Sequence, residues 1–216
     1  MALPDLIPPD PASFRVIETF GWDGRRFPRL HRHMARMAVT CARFGIAFDP
    51  MQVLVQLDAL PDTGPLRIRV TVALDGRVVV TDAAMAQAAA VWHVGIAMER
   101  LNASNPWLGV KTTERAVYDR VRGALPAGTD EMLFLNQRGE VCEGTITTLF
   151  FDAGQGLCTP PLSCGLLPGI LRAELLDSGQ CREAVLPEAA LGEVNLWVGN
   201  ALRGLIPAVL TEGAGI

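Results

Sequence analysis

Lys111 is the only lysine in a chain that has eighteen arginines. A lysine amine can lose its proton and attack a carbonyl carbon to form a Schiff base, whereas an arginine guanidinium stays protonated and cannot. Loss of lysine also accompanies a GC-rich coding bias, so Lys111 is either a chance survivor or a residue whose chemistry arginine cannot supply. Other features in the second half of the sequence favour the chemical explanation.

Two other features of the second half have chemical potential. Glu143 follows a predicted hairpin and precedes a glycine and threonine hydroxyls in CEGTITTLFF. The segment LLPGILR predicts a helix that starts near Pro168-Gly169, and the unpaired N–H groups of a helix start attract anions. A lysine, an acid for a pyridinium nitrogen and a cradle for a phosphate together are what pyridoxal phosphate needs. Each feature alone is explained as a helix-start lysine, a turn glutamate or a helix cap, so the prediction rests on their combination.

Composition narrows the class of protein. The chain has 216 residues, half of them hydrophobic, which is enough for one large domain or two small ones. A net charge of -4 and a pI near 5.4 argue against nucleic acid and anionic membranes as partners and favour small molecules. The sequence shows neither a signal-peptide pattern nor a long apolar run, which predicts a cytoplasmic protein.

Metal binding and disulfides are not expected. The five cysteines lack CxxC pairs and are odd in number, which predicts buried reduced thiols. The closely spaced His31 and His33 lie in an arginine-rich stretch without further ligands, so no metal site is predicted.

Hydrophobic periodicity predicts a small α+β domain over residues 1–86. A hairpin around Asp23-Gly24 is followed by a helix in HRHMARMAVTCARFGI, which Gly45 ends, and by a short helix in MQVLVQLDAL. Alternating apolar residues on both sides of Asp75-Gly76 predict a second hairpin. The stretch AMAQAAA then predicts a connector.

The hydrophobic pattern of residues 87–216 predicts a larger α+β domain, and the three chemical features described above predict that this domain binds the cofactor. Its predicted elements are a strand in AVWHVGIAM, a helix from Thr112 to Arg122, a hairpin that turns at Arg138-Gly139, the helix near Pro168-Gly169 and a final strand and turn in NLWVGNALRGL. A helix start at Lys111 would lower the pKa of its amine.

Through most of its length the sequence resembles the class IV aminotransferases, which are the fold-type IV pyridoxal phosphate enzymes. The segments that carry the resemblance are KTTERAVYD, CEGTITTLFF, LLPGILRAEL and RLHRHMARM. The resemblance implies a two-domain fold similar to D-amino acid aminotransferase, with a small N-terminal α+β domain and a larger C-terminal domain with a mixed, barrel-like sheet. It also implies a homodimer.

The resemblance also implies roles for individual residues, with pyridoxal 5'-phosphate as the cofactor. By this resemblance Lys111 is expected to be the catalytic Schiff-base lysine, and Glu143 is expected to pair with the pyridine nitrogen. The other residues expected to bind the cofactor are Arg36, Thr147, Ile170, Leu171 and Asn200. The family usually has Ser-Asn where this chain has Thr147-Thr148. Thr147 keeps the hydroxyl of the serine, whereas Thr148 lacks the side-chain amide of the asparagine.

The activity that the resemblance implies is elimination of pyruvate from 4-amino-4-deoxychorismate, which yields 4-aminobenzoate for folate synthesis. Arg69 and Arg203 are predicted to bind the substrate carboxylates, with Arg67 and Arg115 as alternatives. Amino-group transfer on branched-chain or D-amino acids is the second candidate. Ile17 falls where longer relatives have an active-site tyrosine, which weakens that candidate more than the lyase. A binding module without catalysis is the third.

Overall fold

The computed structural model describes residues 6–60, 64–86 and 89–215. The chain forms two compact units. The first contains Met1–Gln87 together with Val110–Glu114, and the second contains Ala88–Gly109 and Arg115–Ile216. The short segment around Lys111 therefore packs with the first unit, although in the chain it lies between two parts of the second.

The first unit contains a three-stranded antiparallel sheet in the order β1-β2-β3 and two helices. The two helices and the hairpin at Gly76, which has a φ of 84°, confirm three predicted features. Its elements are β1 (Arg15–Trp22), α1 (Leu30–Arg43), α2 (Pro50–Asp58), β2 (Leu66–Ala73) and β3 (Val78–Ala84).

The predicted hairpin around Asp23-Gly24 is wrong in its second strand. β1 pairs with β2 along its whole length, and residues 23–29 form a turn that leads into α1. Pro28 has no N–H to donate to a strand ladder, and Arg29 adopts a left-handed φ of 61°. The local turn signal was therefore real, but the chain after it could not pair as a strand.

Glu18 of β1 is a carboxylate buried in the core of the first unit, 1% exposed. Its oxygens accept hydrogen bonds from Nε and Nη2 of Arg36, each at 2.7 Å, and Oε2 lies 2.7 Å from Nδ1 of His33. Burial raises the pKa of Glu18, but the Arg36 guanidinium and the His33 ring outweigh it and lower that pKa from 4.5 to about 2. The carboxylate thereby locks α1 onto β1.

The second unit contains an eight-stranded mixed sheet in the order β10-β11-β4-β5-β6-β7-β8-β9. A further pairing of β10 with β7 closes six of these strands into a barrel-like ring, which confirms the predicted architecture of this domain. Its elements are β4 (Trp92–Leu101), α3 (Ala116–Gly123), β5 (Glu131–Asn136), β6 (Val141–Gly144), β7 (Thr148–Asp152), β8 (Cys158–Thr159), α4 (Ile170–Asp177), β9 (Arg182–Glu183), β10 (Asn195–Asn200) and β11 (Gly204–Gly215).

Two predicted elements of this part of the chain differ in the structure. The helix predicted from Thr112 begins only at Ala116, because Thr112 forms an isolated antiparallel bridge with Val16 of β1. Threonine is β-branched and favours such extended conformations. The strand predicted after the Arg138-Gly139 turn is split into β6 and β7 by a tight turn at residues 145–147.

The predicted thiols are buried, and all five cysteines are free. Within the described residues, no helix combines the length and the apolar composition that crossing a membrane requires.

Because the pKa of Glu18 is lowered in the folded protein, we expect the free energy of unfolding of the first unit to depend on pH. Glu18→Gln removes the charge that Arg36 and His33 surround, and we expect it to lower the free energy of unfolding by about 3–5 kcal/mol at pH 7. Because the folded pKa lies below the ordinary value, this contribution is complete above about pH 4.5 and falls as the pH drops toward 2. The variant and the wild type should therefore converge in that window in urea titrations.

The matched control is Glu99→Gln, because Glu99 forms a partly exposed pair with Arg120 at 3.2 Å. It should change the free energy of unfolding by less than about 1 kcal/mol. Equal losses in the two variants would contradict the assignment.

Candidate active site

Lys111 lies in an extended segment of the first unit. Its carbonyl oxygen accepts the N–H of Ile17 at 2.9 Å, and the N–H of Thr113 donates to the carbonyl of Arg15 at 2.9 Å. The side chain of Lys111 is half-buried. The expected helix start is therefore absent at Lys111, and the helix-dipole argument for its amine does not apply.

The first unit also contains the predicted Arg36 and Arg69. The pair with Glu18 fixes the plane of the Arg36 guanidinium. Arg69 is an exposed residue of β2 and is paired in register with Thr19, so the two share one face of the sheet. That Arg36 binds the cofactor phosphate and Arg69 a substrate carboxylate stays a prediction.

Glu143 is a buried residue of β6 in the second unit, 6% exposed. Its Oε1 accepts a hydrogen bond from the hydroxyl of Tyr118 at 2.7 Å. Burial, and then the Glu143 carboxylate, raise the pKa of Tyr118 far above its ordinary range, so this hydroxyl stays protonated and donates. The ring of Tyr118 packs edge-on against Phe134 with centroids 5.0 Å apart. Tyr118 therefore orients the carboxylate predicted to face the pyridine nitrogen.

The start of α4 presents backbone N–H groups, as predicted. Gly169 precedes the helix, and no side chain of the described residues caps it. The first-turn N–H groups of Ile170 and Leu171 have no carbonyl partner within an α-helix, so they can donate to an anion. A Cβ on Gly169 would lie 2.6 Å from Oγ1 of Thr148, so that hydroxyl fills the space beside the helix start.

The predicted Asn200 and Arg203 make contacts with the protein. The Asn200 amide donates to the carbonyl of Ile146 at 3.2 Å, and its Oδ1 accepts the N–H groups of Leu202 and Arg203 at 3.1 and 3.0 Å. The Arg203 guanidinium lies 5.6 Å from the ring centroid of Trp92. Asn200 thus holds two turns in place, whereas a contact with phosphate remains a prediction.

Arg115, an alternative prediction for binding a substrate carboxylate, holds the turn after β6. Its Nη2 donates to the carbonyl of Thr145 at 2.8 Å, and its Nε donates to Asp119 at 2.8 Å. Glu131, which no predicted motif contains, lies completely buried at the start of β5. The available signal was an acidic residue at the edge of the apolar stretch MLFL.

The chain matches the model of one protein family and the sequences of two named relatives. The model of the amino-transferase class IV family matches residues 15–210. A Schizosaccharomyces pombe protein, provisionally named aminodeoxychorismate lyase, is 27% identical over 175 residues, which are 78% of this chain and 75% of that protein. The aminodeoxychorismate lyase of Bacillus subtilis is 30% identical over 88 residues, which are 38% of this chain and 30% of that enzyme.

A solved structure from Mesorhizobium loti is also similar. It is provisionally named an amino-acid aminotransferase, and it is 42% identical with a TM-score of 0.87. The match covers 92% of this chain and 100% of the other. This similarity extends over both units of the fold.

Removing the Tyr118–Glu143 hydrogen bond should change both the stability of the protein and its binding of the cofactor, and a control variant can distinguish these two effects. Tyr118→Phe keeps the ring but leaves Oε1 of Glu143 without this donor, so we expect a loss of about 1–3 kcal/mol in the free energy of unfolding. We also expect a changed absorbance spectrum and weaker binding of added pyridoxal phosphate. Urea denaturation and spectroscopic titration measure the two effects.

Thr159→Val is the control, because its buried hydroxyl donates to the carbonyl of Leu149 at 2.8 Å. It should cost stability without changing the cofactor spectrum. An unchanged spectrum in Tyr118→Phe would show that this hydroxyl does not serve the site.

Proposed function

Because the chain belongs to the class IV aminotransferase family, we propose that it is a lyase that converts 4-amino-4-deoxychorismate into 4-aminobenzoate and pyruvate. Members of this family depend on pyridoxal phosphate, and this chain is therefore a pyridoxal phosphate enzyme. The observation that supports lyase activity is that two relatives from distant organisms carry the name aminodeoxychorismate lyase.

The donor and acceptor groups fit the cofactor. Bound pyridoxal phosphate supplies an electron sink for bonds broken beside the substrate amine. The N–H groups at the start of α4 suit a phosphate, and the Glu143 carboxylate, with Tyr118 as its donor, suits a protonated ring nitrogen. Lys111 supplies the chain's only side-chain amine able to bind an aldehyde covalently.

In the proposed reaction the residues of the chain move protons and hold charges. The Lys111 amine would take the proton from the ring carbon that bears the substrate amine, and would later return a proton to the departing enolpyruvyl group. The guanidinium groups of Arg69 and Arg203 would bind the two substrate carboxylates. Loss of pyruvate makes the ring aromatic, which drives the elimination forward.

A second candidate is amino-group transfer from an amino acid to a 2-oxo acid. The similarity to the Mesorhizobium loti structure favours it, because that protein is provisionally named an amino-acid aminotransferase. The same cofactor apparatus can serve both reactions, so the substrate must decide between them. A homodimer, which the family resemblance implies, and a cytoplasmic location, which the absence of a signal-peptide pattern in the sequence predicts, are further proposals.

The test is to mix the cofactor-saturated protein with 4-amino-4-deoxychorismate and to follow 4-aminobenzoate fluorescence and pyruvate. Lyase activity should appear without any 2-oxo acid. Turnover that requires both an amino acid and a 2-oxo acid would instead establish the transferase. No turnover in either assay would contradict both enzyme proposals.

Lys111→Arg keeps the charge but cannot provide the amine, so we expect a rate reduced by about 10²- to 10⁴-fold and loss of the cofactor's long-wavelength absorbance. Arg120→Lys, on the exposed side of α3, should retain both properties and serves as the control. Full activity in Lys111→Arg would exclude Lys111 as the catalytic amine.

A further inference from the structure

Glu131 is the first residue of β5, and its side chain is 0% exposed. The mechanism proposed above does not use it. A carboxylate taken out of water is costly unless hydrogen-bond donors surround it. Its surroundings therefore indicate what it does.

Five hydrogen bonds reach the Glu131 carboxylate. Oε1 accepts the N–H groups of Met132 and Thr145, both at 2.9 Å, and also the hydroxyl of Thr145. Oε2 accepts the N–H of Ile146 at 3.1 Å and the hydroxyl of Thr147 at 2.9 Å. Four of these five bonds come from the turn at residues 145–147, which we call the hydroxyl turn.

Other elements hold the carbonyl side of the hydroxyl turn. Arg115, just before α3, donates to the carbonyl of Thr145, and Asn200 at the end of β10 donates to the carbonyl of Ile146. The hydroxyl turn is therefore fixed by side chains from three elements, and Glu131 makes most of these bonds.

The position of the hydroxyl turn affects Glu143 directly. The turn joins β6 to β7, and Glu143 pairs in register with Thr148 across it. The N–H of Gly144 donates to the carbonyl of Thr147 at 2.8 Å, which closes the turn. A displaced turn would therefore shift the strand that carries the Glu143 carboxylate.

The hydroxyl of Thr147 has one hydrogen, and an ionised carboxylate can only accept. The hydrogen of this hydroxyl is therefore donated to Glu131. A phosphate oxygen also needs a donor, so the Thr147 side chain cannot serve both partners with the same hydrogen.

We propose that Glu131 is a positioning residue of the cofactor site, which fixes the hydroxyl turn and thereby Glu143, and that Thr147 acts through Glu131 rather than as a phosphate donor. This inference rests on the proposed function only in that the site must bind pyridoxal phosphate. Arg122 supports the carboxylate, because its Nη1 lies 3.6 Å from Oε1 and donates to the Asp130 carbonyl at 2.6 Å.

Glu131→Gln tests the proposal, because the amide replaces one acceptor oxygen with a donor that faces other donors. We expect the dissociation constant of pyridoxal phosphate to rise about tenfold, an effect typical of residues that orient a binding group from behind. Hydrogen exchange of the peptide covering residues 144–148 should accelerate in the cofactor-free protein. Glu99→Gln should change neither quantity.

A double-mutant comparison addresses Thr147. Thr147→Val should weaken cofactor binding in the wild type and add little in the Glu131→Gln background, since both changes remove the same interaction. Fully additive losses would overturn the assignment of Thr147 and indicate direct contact with phosphate.

Gly144→Ala gives a second route if Glu131→Gln fails to fold. A Cβ on Gly144 would lie within 2.8 Å of Oε2 of Glu131 and closer still to Oγ1 of Thr147, so it displaces the same contact without removing a charge. It should weaken cofactor binding, whereas Gly123→Ala, whose Cβ would meet open space, should not.

Normal cofactor affinity in folded Glu131→Gln would overturn this inference and leave the proposed function unaffected. If Glu131→Gln does not fold, normal affinity in Gly144→Ala has the same meaning. Failure of the wild-type protein to bind pyridoxal phosphate would overturn the proposed function itself.

Discussion

A carboxylate buried away from water must collect donors, and this requirement organises both units of the protein. In the first unit Glu18 collects Arg36 and His33 and joins α1 to β1. In the second unit Glu131 collects the donors of the hydroxyl turn. Each carboxylate thereby fixes a segment to which the family resemblance assigns a role in cofactor binding.

Helix α3 extends this arrangement. Arg115, just before the helix, donates to the carbonyl of Thr145, and within the helix Tyr118 donates to the Glu143 carboxylate and Arg122 to the carbonyl that precedes β5. Because these bonds are buried or partly buried, they are shielded from competing water. The helix and the residue before it therefore hold the hydroxyl turn and the Glu143 carboxylate in place, a role that the amphipathic pattern of the helix alone does not predict.

The residues that bind the cofactor can serve both a lyase and an aminotransferase, so the residues that bind the substrate must determine which reaction occurs. The cofactor needs an amine, an acid and an anion cradle in either case, so those parts identify the family more than the reaction. We expect the two activities to differ at Arg69 and Arg203, which we propose bind carboxylates, because the proposed lyase substrate carries two of them. The Arg203 guanidinium lies over the ring of Trp92, which restricts its orientation.

The sequence by itself determined the elements with strong local signals and the family. Helix α1, the hairpin at Gly76 and the start of α4 follow from periodicity, a turn glycine and the Pro-Gly pair before the helix, which are signals that act over a few neighbouring residues. The motifs around Lys111 and Glu143 were sufficient for the resemblance that the family comparison supports.

Only the tertiary structure decided where those elements end and which polar groups meet. The strand expected after Asp23-Gly24 did not form, because β1 found its partner more than forty residues later in β2. Thr112 became extended for a similar reason, by bridging to Val16. The partners of Glu131 and Tyr118 lie 14 and 25 residues away in the chain, and no local pattern specifies such pairs. Burial makes those hydrogen bonds obligatory, and burial is a property of the folded chain.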